Sequence, residues 1–90
     1  MIELRLRDTD VHWREIDGEV IALESRGSTY LAANGAGTRL WRALAAGTTR
    51  AELADELVRA YGIDRSRAAA DTEHFVRQLD DQGLIDWTVG

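Results

Sequence analysis

A chain of 90 residues has few side chains with which to do chemistry, and here the candidates are sparse. His12 and His74 are the only histidines. A nucleophilic site would need one of them beside an activated thiol or hydroxyl, and there is no cysteine. Ser28 and Thr29 lack the flanking Gly-x-Ser-x-Gly elbow of a serine hydrolase. The acid pairs Asp8 with Asp10 and Asp80 with Asp81 offer oxygen ligands for a hard cation, but neither lies in a calcium loop closed by a glutamate. "NGAGTRL", Asn34 to Leu40, has the glycines of a phosphate cradle. Leu40 occupies the place of the third glycine, no strand-helix-strand unit follows, and there is no lysine for a P-loop. These residues read better as surface histidines, solvated turns, and a helix start kept small for close approach to a sheet. The expectation is no catalytic residue, no metal site and no cofactor.

Charge narrows the partners. Eleven basic residues, all arginine, face sixteen acids, for a net charge of −5. That balance disfavours anionic membranes and nucleic acid. No apolar run reaches the roughly 18 residues of a bilayer span, and "MIELRLRD" alternates where a signal peptide would be continuously apolar. A cytoplasmic protein with neither nucleic acid nor membrane as partner is expected, and the absence of cysteine suits a reducing compartment.

The elements that would position a site divide into strands first and helices after, because period-two patterning gives way to period 3.6. Ile2, Leu4 and Leu6 alternate with charged residues and predict a strand over 2–7. "VHWREI" and "EVIALES" flank Asp17-Gly18, a two-residue hairpin turn. A second turn at Arg26-Gly27 leads into "STYLAA", Ser28 to Ala33, the last strand of a meander. Asn34 is placed to cap a helix over about 35–46 with Leu40, Trp41, Leu44 and Ala45 on one face. Thr49 and Glu52 have capping-box spacing ahead of a second helix, with Leu53, Ala54, Leu57, Val58 and Tyr61 inward and Gly62 as its stop. Asp64 or Ser66 starts a third helix with an inward stripe of Ala68, Thr72, Phe75, Val76 and Leu79, ending near Gly83. Leu84, Ile85 and Trp87 then pack as a tail. The result is one domain over 1–90, α+β, with strands at about 11–33 and helices at about 35–83.

Gly27 to Thr38 is a twelve-residue window without charge in a chain that is 30% charged. It contains the strand that ends the meander. Edge strands are usually guarded by charges, prolines or bulges, and "STYLAA" has none. Either the chain's own helix covers this edge or an extended peptide adds a strand to it. An unguarded edge is also able to pair with its own copy. A winged helix-turn-helix that binds DNA is the alternative reading. In the third helix, however, Asp71, Glu73, Asp80 and Asp81 outnumber Arg65, Arg67 and Arg77.

In order and spacing, "REIDGEVIALES", "STYLAANGAGTRLWRAL", "TRAELADELVRAYGID" and "AAADTEHFVRQLDDQGLI" resemble the PqqD-like family of recognition elements for ribosomally made, modified peptides. The likeness runs from about Val11 to Ile85. Its most telling pieces are Tyr30 to Asn34, Gly37, Trp41, and the series Asp71, Phe75, Leu79, Gly83 and Leu84. The resemblance implies a three-stranded antiparallel meander packed on a three-helix bundle, winged helix-turn-helix-like. It implies a non-catalytic adaptor that binds the leader segment of a precursor peptide as an added antiparallel strand. The adaptor presents that precursor to a modifying enzyme such as a leader peptidase. Carried onto this chain, Thr29, Tyr30, Leu31, Ala32 and Ala33 supply the backbone edge, and Asp71, His74, Phe75 and Gln78 supply one wall of a groove. "STYLAA" is less bulky and less aromatic than the third strand often found in lasso-peptide members, so a lasso peptide, a quinone cofactor and another modified peptide all remain open as the product.

Overall fold

The computed structural model describes residues 2–26 and 29–89. Five strands and three helices follow in the order β1 (Ile2–Leu6), β2 (Val11–Ile16), β3 (Glu19–Glu24), β4 (Thr29–Ala33), α1 (Ala36–Ala46), α2 (Arg50–Tyr61), α3 (Arg65–Asp81) and β5 (Ile85–Val89). Two antiparallel sheets result, a meander β2-β3-β4 and a ribbon β1-β5. The α+β class, the three-stranded sheet and the three helices are as the sequence predicts.

Asp17 and Gly18 both take positive φ, 52° and 79°, which is what a two-residue turn needs to match the twist of its strands. The turn fixes the register, so Val20 and Ala22 of β3 face the core together with Leu31 of β4, the partner of Ala22. The turn expected at Arg26-Gly27 and the Ser28 start of the last strand lie outside the described residues.

The helices are bounded by local chemistry. Thr49 accepts a hydrogen bond from the Glu52 N–H, and its hydroxyl also donates to the Glu52 carboxylate. Gly62 stops α2 in the left-handed region. Asp64 caps α3 by accepting from the Arg67 N–H at 2.8 Å. Asn34 does not cap α1 as expected. Gly35 holds that place with φ 53° and ψ −120°, a conformation costly for any residue with a side chain, and it makes no side-chain capping bond. Ala45 is exposed, and Thr38 takes its place beside Leu40, Trp41 and Leu44 on the buried face.

Two further expectations change. The segment after Gly83 is a strand: β5 pairs with β1 from Leu6↔Ile85 to Ile2↔Val89. Leu4 then exchanges backbone hydrogen bonds with Thr48 in the α1–α2 loop, at 2.6 and 2.8 Å, and clips the ribbon onto the helices. The pairing was not readable from either segment alone because ribbon partners 79 to 87 residues apart carry no local signal. Tyr61, assigned to the core by its spacing, is 47% exposed. Otherwise one continuous core joins Leu4, Trp41, Leu44, Leu53, Val76, Leu79 and Leu84. Among the described residues, no helix is long and apolar enough to cross a membrane.

Glu15 of β2 and Arg42 of α1 form a two-pronged ion pair that ties the sheet's outer strand to the first helix. The Arg42 hydrogen bond holds the Glu15 carboxyl below its ordinary value, with slight burial opposing it and the arginine's charge adding to it. Arg42 is shifted upward in turn. Because the folded-state value is depressed, the pair's contribution is complete above the unfolded-state value and is lost as pH falls through the folded one. Arg42→Ala is expected to return the Glu15 titration to the usual glutamate range, as read by carboxyl NMR. Leu4→Ala, which empties a fully buried position, is expected to lower unfolding free energy by about 2–5 kcal/mol in urea titrations.

Candidate functional site

Antiparallel order makes β4 the end of the meander: it pairs with β3 from Val20↔Ala33 to Glu24↔Thr29, and among the described residues no other strand pairs with it. Leu31 points into the core at 7% exposure, while Ala32 faces outward. The edge therefore offers backbone groups beside one buried leucine and small methyl side chains.

Three features hold the Ala33 end. The Thr38 hydroxyl lies 2.8 Å from the Gly18 carbonyl and 3.1 Å from that of Ala33, so a single side chain on α1 joins the β2–β3 turn to the last strand. Gly37 brings α1 against the strand: a Cβ there would stand 3.2 Å from Ala33 Cβ and 3.8 Å from the Phe75 ring. The Asn34 carbonyl accepts from the Gly37 N–H at 3.0 Å and closes the turn between strand and helix.

Beyond this end lies a cavity of about 250 Å³. Its floor is Ala36, Gly37, Leu40 and Leu57, and its wall is Asp71, His74, Phe75 and Gln78 of α3. Helical spacing places those four on one flank, as the sequence suggested. Phe75 is half-buried, packing on the core while its ring faces the cavity. The structure thus brings the four α3 residues together. Leu31, Ala32 and Ala33 are not among the described lining residues and lie on the strand that runs toward the cavity. A second cavity, about 370 Å³, continues the first past shared residues Ala36, Leu57 and Asp71 toward Tyr61 and Ile63. Sequence reasoning missed Gly35, Ala36, Leu40 and Leu57 as lining. An apolar residue looks the same in a sequence whether it floors a cavity or fills a core.

The remaining chemical candidates are dispersed. His12 is exposed on β2 and His74 on α3. Asp80 accepts from the Trp87 indole at 3.1 Å, and Asp10 lies 3.9 Å from the Arg26 guanidinium. Among the described residues no three His, Cys, Asp or Glu groups converge as metal ligands would.

The model of the family described as coenzyme PQQ synthesis protein D (PqqD) matches residues 19–85, which run from β3 through the first residue of β5. This chain belongs to the PqqD family. Two solved structures share its fold. One is TbiB1 in complex with the TbiA(beta) leader peptide, with a TM-score of 0.84, 29% identity, and 91% of this chain and 94% of that one covered. The other is a lasso peptide synthetase B1 complexed with the leader peptide, with a TM-score of 0.80, 24% identity, and 92% and 96% covered. No curated protein matches the chain. The PqqD match leaves out β1 and β2, so the ribbon lies at or beyond its limits.

Thr38→Val keeps the shape but removes the hydroxyl that two carbonyls share in a buried position. It is expected to cost about 1–3 kcal/mol of stability, with Thr38→Ser restoring most of it in the same denaturant titration.

Proposed function

We propose that this PqqD-family chain is a non-catalytic adaptor that captures the leader segment of a ribosomally made precursor peptide and presents it to a modifying enzyme such as a leader peptidase. The reading rests above all on one observation: among the described residues β4 has no strand on its outer side, and the turn after Ala33 leads to a cavity lined by Ala36, Gly37 and one flank of α3. An extended leader would pair its backbone with Thr29 to Ala33 and set side chains against Asp71, His74, Phe75 and Gln78. Each main-chain hydrogen bond would contribute about 0.5–1.5 kcal/mol net. A solved relative with 29% identity and the same fold is a leader-peptide complex, which supports this choice of ligand. On α3, Arg65 pairs with Asp55 and Arg67 with Asp71, which leaves less positive charge for a phosphate backbone.

Strand pairing imposes a period of two on the ligand. In a scan of singly N-methylated versions of an extended peptide selected for binding to this chain, methylation should weaken binding at alternate positions and be tolerated between them. Fluorescence anisotropy reads the affinities. A flat or helical-period profile rejects strand addition.

A further inference from the structure

Backbone pairing recognises any extended peptide, so sequence selection has to come from side-chain contacts. Within the strand, Ala32 and Ala33 supply little, because they carry only methyl groups. The larger cavity is where selection has room to occur. It lies past the Ala33 end, holds about 370 Å³, and is floored by Gly35, Ala36, Leu57 and Ile63.

Its outer wall is Tyr61, the last residue of α2, a half-exposed ring that would be free to swing were it not held. The Arg39 guanidinium, one helix away, stands 5.9 Å from that ring's centroid. Arg39 is itself fixed by Glu56 at 3.0 Å, and Glu56 also accepts from Arg59 at 3.1 Å. On the opposite side Arg67 and Asp71 pair with each other at 3.7 Å, so the rim has little net charge with which to hold a charged ligand group. An apolar floor, a ring for one wall and an internally neutralised rim fit an uncharged, bulky side chain.

We propose that Tyr61, positioned by Arg39, determines peptide specificity by forming the lip of a second lobe. The lobe takes one aromatic or branched aliphatic side chain from the segment of leader that runs on past Ala33. This deepens the leader-binding reading and rests on it. Tyr61 touches the ligand, whereas Arg39 acts through Tyr61.

The test pans a phage-displayed library of random extended peptides against the full-length chain and compares each selected peptide with a version trimmed of the residues outside its strand-forming segment. Selected peptides are expected to share one bulky apolar residue in the trimmed part. Tyr61→Ala should weaken the untrimmed peptide about tenfold and Arg39→Ala about threefold, the size of an exposed cation–π contact. Tyr61→Phe should bind like the parent. Trimmed peptides should not distinguish any variant from the parent, which a general loss of structure would not reproduce. Both side chains are about half exposed, so thermal midpoints should move little. If Tyr61→Ala and Arg39→Ala affect trimmed and untrimmed peptides alike, or neither, the lobe has no such role. Selected peptides that leave the backbone amide signals of Leu31, Ala32 and Ala33 unmoved would sink strand addition while the trimming comparison still decides the lobe. A library that yields no binder overturns both.

Discussion

A backbone cannot leave its amides and carbonyls without partners in a dry place, and among the described residues β4 is paired along one side only. That asymmetry organises the molecule. Thr38 and Gly37 exist to keep the strand's far end against α1, and α3 stands off so that a cavity, not a contact, meets the end of the strand. A sheet that curled closed, or a helix laid flat along β4, would cover the outer side that the described residues leave unpaired.

The helices divide the remaining work. α2 has the fullest local specification, a reciprocal cap at Thr49 and Glu52 and a left-handed stop at Gly62, and it supplies Leu57 to the cavity floors from a firm base. α3 has to serve two faces at once. Ala68, Thr72, Val76 and Leu79 are buried, while Asp71, His74 and Gln78 stay exposed one flank away. Phe75 lies on the border between them, so core packing and cavity shape are coupled through one ring.

Much of this was legible in the sequence because it is local. Alternation marked β2 and β3, Asp17-Gly18 marked the turn, and caps and glycines marked α2 and α3 to within a residue or two. The α3 flank could be named in advance because the family resemblance implies a groove wall on the third helix, and helical spacing then places Asp71, His74, Phe75 and Gln78 together. What escaped was non-local. The β1–β5 ribbon depends on residues from opposite ends of the chain, and the lining roles of Ala36 and Leu57 depend on how three helices meet. Asn34 shows a third kind of failure: its side chain is a good cap, but the backbone there demanded a positive φ one residue later, and glycine took the position.

The Ile2↔Val89 pairing sets the first residue of β1 beside the last residue of β5 on neighbouring strands of one ribbon. A turn of a few residues between those two positions would join the strands into an ordinary hairpin and close residues 2–89 into a ring. New ends could then be cut at a surface turn such as Asp17-Gly18 without disturbing the order in which the elements pack.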